Sequence, residues 1–421
     1  MSATAAFRSL SPAQRRTFTA SFLGWTLDAF DFFLVIVTVP HIAHDFHVEV
    51  TSIAFAVTIT LMMRPLGALI FGWIADRYGR RLPLMIDVGA YSTLELATAF
   101  APNLATFIVL RALYGIAMGG EWGIGAALAM ESLPANARGI FSGVLQEGYA
   151  LGYLFAALVL AILYVHIGWR GMFVIGVLPA LLIFFIRARV PESPVWLAQP
   201  REETEGVHPF ITAIRRSWPL FLYTILLMAA FNYMSHGTQD LYPTFLTLQH
   251  GFRPALAGGL TALMNVGAIA GGIFFGWLSQ RAGRRVTIVA CCILGVCLIP
   301  LWAFSQAVAL LALGGFLMQF MVQGAWGIIP AHLNEIAPPR TRGTFPGFTY
   351  QLGNLISANA LQLETAFARH RFATLGGHAD YAKAMAVVAA VVFAAVIFLT
   401  ALGPLVAPER RTQNFAEQLN I

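Results

Sequence analysis

Thirteen residues inside one long apolar run, Asn232-Tyr-Met-Ser-His-Gly-Thr-Gln-Asp-Leu-Tyr-Pro-Thr244, hold a histidine, an aspartate, two amides and several hydroxyls. On a helix His236 and Asp240 stand four residues apart and share a face. An imidazole beside a carboxylate is a group whose charge switches near neutral pH, and the pair therefore suits reversible proton binding. Asn232, Ser235, Thr238 and Gln239 add the hydrogen-bonding groups with which a polar anion is recognised. Counted from Pro219 by helix rise, His236 lies about 25 Å along its helix, in the outer half of a bilayer. Gly237 and Pro243 are expected to let the helix bend or unwind there and to turn backbone groups toward a cavity. Polar packing alone accounts poorly for so dense a stretch.

Other charges stand at comparable depth. Asp28 and Asp31 lie about 16 to 21 Å from Thr17 along the first apolar run, Glu121 about 15 Å from Glu131, and Arg64 about 18 Å from Asp76. Glu147, beside Gln146, is also central, and Arg111 falls in the outer third of its run. Charges inside hydrocarbon are costly; they carry function or pair with one another. The acids Asp28, Asp31, Glu121 and Glu147, with Arg111, His236 and Asp240, are the candidates for binding and releasing protons, or else pair with buried arginines to hold helices. The planar fork of Arg64 suits a carboxylate, either that of a bound anion or that of Asp28, Asp31 or Glu147. In the second half the polar groups are amides instead: Asn265, Gln319, Gln323, Gln351, Asn354, Asn359 and Gln362. One half handling protons while the other, through Gln351 and Asn354 among others, recognises polar groups of a substrate would produce this asymmetry, as would polar packing between helices.

The elements that position these residues are membrane helices. Of 421 residues 58% are hydrophobic and 11% charged, with mean hydropathy +0.71, a balance that a water-soluble domain does not carry. The runs read as an all-α polytopic fold of twelve spans of about 20 residues each: near 17–39, 50–74, 83–101, 104–132, 138–165 and 168–188, then 219–248, 254–278, 286–305, 307–337, 342–368 and 380–406. The first run is long, carries two acids and lacks a small-residue cleavage site, so it is expected to stay in the protein.

An internal repeat orders the spans. Gly72-Trp-Ile-Ala-Asp-Arg-Tyr-Gly-Arg-Arg81 returns in the second half of the chain as Gly276-Trp-Leu-Ser-Gln-Arg-Ala-Gly-Arg-Arg285. At the same offset Gly120-Glu-Trp-Gly123 returns as Gly324-Ala-Trp-Gly327, Glu131 as Glu335, and Arg138-Gly139 as Arg342-Gly343. Residues 1–188 and 219–421 are thus two six-helix halves, joined by a polar connector over 189–218, and repeats of this kind bracket a site near mid-bilayer. Gly72, Asp76, Arg77, Gly79, Arg80, Glu131 and Arg138 form a gate at the loop ends of the helices. Asp76 is expected to pair there with arginines beneath the fourth and eleventh spans, and Gln280 in the second copy makes that lock weaker. Gly115, Gly119 and Gly123 at four-residue spacing suit close helix packing.

Nineteen arginines fall on the side that holds both termini, against five basic residues opposite (Arg170, Arg253, Arg369, Arg371 and Lys383). Positive charge stays inside, so a plasma (inner) membrane location with both termini cytoplasmic is expected. That asymmetry explains the pI of about 9.5 without nucleic acid as a partner. Cys291, Cys292 and Cys297 lie in one apolar run and read as packing residues. His41, His44 and His47 have a metal-ligand spacing but sit in an exposed loop without a fourth ligand, so no metal is expected. Nucleotide loops and nucleophile elbows are absent, which leaves no enzyme reading and no cofactor.

Twelve spans in two repeated halves, with Gly-x-x-x-Asp-Arg-x-Gly-Arg-Arg between spans two and three, resemble the major facilitator superfamily over essentially the whole chain. Arg111-Ala-Leu-Tyr-Gly115 is similar to a fourth-span motif of that superfamily whose arginine is associated with proton coupling. The 232–244 stretch resembles the signature of Jen-type lactate permeases within the sialate:proton symporter group, with Asn232, Ser235, His236, Thr238, Gln239, Asp240 and Thr244 meeting each fixed position. That resemblance implies proton-coupled uptake of small monocarboxylates such as lactate or pyruvate; the carrier is expected to be a monomer. Sialic acid or another organic anion, and export or uniport of a different solute, are the alternatives. A transport-dead sensor is disfavoured by the short tails.

Overall fold

The computed structural model describes residues 7–198, 209–372 and 379–406. The connector stretch 200–206 and the basic pair Arg410 and Arg411 lie outside the described residues. In the first half, α1 spans Pro12–Asp45, α2 Val50–Tyr78 and α3 Arg81–Ala99, while the fourth span divides into α4 (Leu104–Met118) and α5 (Glu121–Ser132). The fifth and sixth spans run through α6 (Arg138–Gln146), α7 (Gly148–Ile175) and α8 (Ala180–Arg189). α1 starts where Ser11 accepts from the Gln14 N–H while Gln14 accepts from the Ser11 N–H, a reciprocal cap. The fifth span turns into the sixth at Gly168, whose φ of 62° breaks α7 in two.

Short helices α9 (Pro194–Leu197) and α10 (Pro209–Arg216) belong to the connector. The second half contains α11 (Trp218–Gln239), α12 (Pro254–Ala282), α13 (Arg284–Phe304), α14 (Val308–Trp326), α15 (Ile329–Ile336), α16 (Phe345–Ser357), α17 (Ala360–Ala366) and α18 (Tyr381–Val406). Both ends of α12 fall on the repeat positions of the two ends of α2, and the end of α15 on that of α5, so the repeat read in the sequence is a repeat of helices. After α2 and after α12 the chain turns at Gly79 (φ 96°) and Gly283 (φ 105°), a left-handed conformation that costs a side chain and is free to glycine.

Ten stretches among the described residues are long and apolar enough to cross a membrane. α3, which carries Asp87 and Glu95, and the interrupted α16–α17 complete the twelve-helix fold. Large apolar side chains such as Phe55, Ile162, Phe184, Val391 and Phe398 are exposed on the outside of the bundle, where lipid replaces water. The second half has one continuous apolar core around Phe231, Trp302, Met318 and Phe393. The first half has several smaller ones, because buried charges stand between them.

The main packing between halves joins α6 to α12, α2 to α16, and α15 to α5 and α6. These contacts gather at the end of the bundle that holds the arginine loops. Small residues permit them: a methyl group on Gly72 would come within 2.6 Å of the Thr344 Cα, and one on Gly276 within 2.7 Å of the Gly139 carbonyl. Within the first half, a methyl on Gly115 or Gly119 would overlap the carbonyl of Thr60 or Arg64 on α2. The glycine row of the fourth span is therefore a packing seam, as its spacing indicates.

Candidate functional site

Between α1 and α5 the first half buries Asp28, Asp31, Arg64, Asp87, Glu95, Arg111 and Glu121, each at most 2% exposed. The two arginines are engaged differently. Arg111 Nη2 donates to Glu95 Oε2 at 2.6 Å and to Thr98 Oγ1 at 2.8 Å, with its guanidinium 4.2 Å from the Tyr114 ring centroid. Arg64 Nη2 stands 3.9 Å from Asp28 Oδ2, beyond hydrogen-bonding distance. Nε and Nη2 of Arg64, and both oxygens of Asp28, have no hydrogen-bond partner in the protein. Pro65 follows Arg64 inside α2 and removes one N–H from the helix ladder beside it.

Asp31 and Glu95 converge on the turn after α7. A methyl on Gly176 would meet Asp31 Oδ1 at 3.1 Å and Glu95 Cγ at 2.7 Å. Glu121 packs its carboxyl against Gly24 of α1, and Asp87 places Oδ1 3.1 Å from where a Cβ of Gly120 would stand. Asp31, Asp87 and Glu121 have no partner on either oxygen. An isolated ionised carboxylate in such a place costs several kcal/mol.

Glu147 lies apart from this cluster. It is wedged against Gly272 of α12, across the seam between halves, and Arg64 faces Asp28 rather than Glu147. Beside it, Gln146 accepts from Trp122 Nε1 at 3.3 Å.

In the second half His236 Nδ1 is 2.9 Å from Asp240 Oδ2, both side chains 30% exposed, with Asn354 of α16 near His236. Gln323 Nε2 donates to Ser235 Oγ at 3.3 Å and Gln319 Nε2 to Thr238 Oγ1 at 3.0 Å. The signature hydroxyls are thus held by amides of the tenth span. Asn232 donates to the Met228 carbonyl of its own helix. Gln351 is buried with neither side-chain polar atom partnered, and Gln239 is half-buried.

The expected bend at Gly237 is absent. α11 continues to Gln239, and the change comes at Tyr242–Thr244 and a π-helical turn, Phe245–Gln249, where Pro243 cannot donate. Gly237 instead admits close packing: a Cβ there would stand 3.0 Å from Val388 Cγ1.

At the closed end, Asp76 differs from its expected pairing with arginines beneath the fourth and eleventh spans. It is 3.3 Å from Arg80 of its own loop and accepts from Gly343 N (2.7 Å), Thr344 N (3.0 Å) and Thr344 Oγ1 (2.6 Å). The start of the eleventh span turns the N–H groups of Gly343 and Thr344 toward the loop, where they suit a carboxylate. Arg80 forks onto Glu131 at 2.9 and 3.1 Å, and its repeat counterpart Arg284 onto Glu335 at 2.7 and 3.1 Å. Arg138 donates to the Met130 carbonyl, and Arg77 lies over Trp73 and Tyr78. The connector joins this network: Glu192 accepts from Arg80 N, Ser193 donates to Glu131, and Trp196 Nε1 donates to the Asp76 carbonyl at 3.0 Å.

Sequence reasoning missed Asp87, Glu95 and Glu364, although each is an acid inside a predicted span and legible by the rule that singles out Asp28. The connector's part in the gate had no signal beyond Pro191-Glu-Ser-Pro194.

Twelve helices in two repeated halves around buried charge define a membrane carrier and not an enzyme. Residues 21–360 match the Major Facilitator Superfamily, and the chain belongs to it. It is 31% identical over 405 residues to a carboxylic acid transporter protein homolog of Saccharomyces cerevisiae, covering 89% of this chain and 66% of that one. It is 29% identical to the sialic acid transporter NanX of Escherichia coli, covering 83% and 86%. Its fold matches the proton:xylose symporter XylE with TM-score 0.73 at 17% identity, covering 97% and 98%.

Proposed function

We propose that this transporter of organic acids is a proton-coupled symporter that takes up small monocarboxylates, of the lactate and pyruvate type, by alternating access. The observation that carries the reading is the Arg64–Asp28 pair: an arginine fork 3.9 Å from its counter-ion, with two donors that no protein group accepts. When Asp28 is ionised it holds the guanidinium. When Asp28 binds a proton, Arg64 is released to an incoming carboxylate, which fits the same planar fork. Anion and proton then enter together because each is disfavoured alone. Arg111, tied to Glu95 and Thr98, serves the proton side, with Asp31, Asp87 and Glu121 as further carboxyls. Asn232, Ser235, Thr238, Gln239, Gln351 and Asn354 face the substrate from the second half, and His236–Asp240 guards its entry.

The arginine-loop end, closed in this structure, is the cytoplasmic end in this reading, and the protein sits in the plasma membrane. A yeast relative named for carboxylic acids is consistent with the substrate class. A monoanion carried with one proton moves no net charge, so membrane potential neither drives nor opposes it. The test is uptake of labelled lactate and pyruvate into proteoliposomes. Acid outside should drive accumulation, insensitive to an imposed potential; accumulation driven by sodium, or by no gradient, overturns the reading.

A second reading, a sialic acid type of substrate, is favoured by the buried Gln351, whose amide lacks partners, and by the relative named for that substrate. Competition by unlabelled sialic acid against lactate uptake decides between the two.

A further inference from the structure

Glu364 of α17 is fully buried, and neither carboxyl oxygen has a hydrogen-bond partner. Oε1 lies 3.3 Å from the position that a Cβ on Gly237 would take, and Gly237 stands between His236 and Asp240 on α11. A larger residue at 237 would separate the helices at the point where the acid comes near Asp240, the partner of His236.

The charged groups around Glu364 are few. α11 presents Asp240 and His236. α18 presents Val388 at the contact, while its Asp380 and Lys383 pair with each other at 3.0 Å at the helix start. The π-helical turn after α17 carries Arg369, His370 and Arg371, all exposed. Among the described residues no ion pair reaches Glu364. A buried anion without a counter-charge costs several kcal/mol, and the charged group that acts on this one is another acid, Asp240.

We propose that Glu364 is a proton-carrying carboxyl of the second half, linked through the Asp240–His236 pair to the cavity. The single transported proton occupies Glu364 and Asp28 in turn: Glu364 gains it when the site faces one side of the membrane and gives it up when the site faces the other, so one proton in all crosses per anion; no other bond changes. This deepens the symport reading and rests on it.

The experiment compares the full-length protein with Glu364→Gln and Glu364→Asp in proteoliposomes, using labelled lactate. Two modes are measured: counterflow at equal pH on both sides, which needs only a loaded carrier to reorient, and accumulation under an acid-outside gradient. Glutamine mimics the neutral acid permanently. Glu364→Gln should keep counterflow within about twofold and lose accumulation, from about tenfold per pH unit for one proton to near equality. Glu364→Asp should accumulate. If Glu364→Gln accumulates like the unmutated protein, if it loses counterflow as well, or if Glu364→Asp fails to accumulate, the proposal is wrong. Failure of the unmutated protein to accumulate lactate under the gradient would instead sink the symport reading.

Discussion

Asp76 Oδ1 accepts the backbone N–H of Gly343 at 2.7 Å, which ties the loop end of the second span to the first turn of the eleventh. The repeat reproduces the contact: Gln280 Oε1 accepts the N–H of Gly139 at 3.1 Å. The two copies differ in charge and in number of bonds, because Asp76 also takes Thr344 N and Oγ1. The contact between halves is thus strong on one side of the pseudo-twofold axis and weak on the other.

Asp76→Asn removes a charge from three hydrogen bonds, and each bond to a charged group is worth about 1.5 to 3 kcal/mol. Opening at the arginine-loop end should rise by about tenfold or more. The check is thiol labelling of a cysteine placed at Ser142, whose hydroxyl meets Ala331 N across the seam at 2.9 Å, in a background without native cysteines. Gln280→Asp should slow the same labelling. No change in either variant means the contacts do not hold the gate.

Arg64→Lys keeps a positive charge beside Asp28 but loses the fork. A point charge cannot meet both oxygens of a carboxylate, and the loss of one charged hydrogen bond, about 1.5 to 3 kcal/mol, corresponds to roughly a 10- to 150-fold weaker apparent affinity. The melting temperature should change little, since Arg64 makes few bonds within the protein. Unchanged KM for uptake would place the anion elsewhere.

Glu95→Gln addresses the other arginine. It leaves Arg111 buried without its anion, and breaking a buried pair in this way costs about 3 to 5 kcal/mol. The double variant Glu95→Gln, Arg111→Gln should recover part of that loss. Thermal unfolding in detergent for the two single variants and the double variant measures the coupling; additive effects would show that the 2.6 Å contact contributes nothing.

How much of this was open to sequence reading depends on the kind of relation. The repeat, the twelve spans and the helix starts were legible, because hydropathy along a bilayer-length window is a local property and the self-match of Gly72–Arg81 with Gly276–Arg285 a periodic one. The 2.9 Å contact of His236 and Asp240 followed from i, i+4 spacing on one helix. Pairings between helices were not so available. Nothing local tells that Arg64 faces Asp28 and not Glu147, or that Asp76 caps backbone groups of the eleventh span, because span-to-span register is set by packing of glycines such as Gly72 and Gly119 against a distant backbone. Asp87 and Glu95 needed only the depth rule applied evenly along the third span.

His236 and Asp240 stand 2.9 Å apart. Their contact is direct and both are 30% exposed, while from the eleventh span Asn354 lies near His236 and the buried Glu364 near Asp240. In the proposed symport reading, a charged His236 attracts an arriving carboxylate. In the same reading, the neutral histidine lets the anion move toward Asn232 and Arg64. His236→Ala should therefore raise the apparent KM for lactate and flatten the dependence of uptake on external pH. Asp240→Asn should move the pH optimum down, because without the neighbouring anion more acid is needed to charge the ring. pH profiles from pH 5 to 8 on the two variants and the unmutated protein, normalised to the amount reconstituted, make the comparison. Three superimposable profiles would mean that the pair only braces α11 ahead of its π-helical turn.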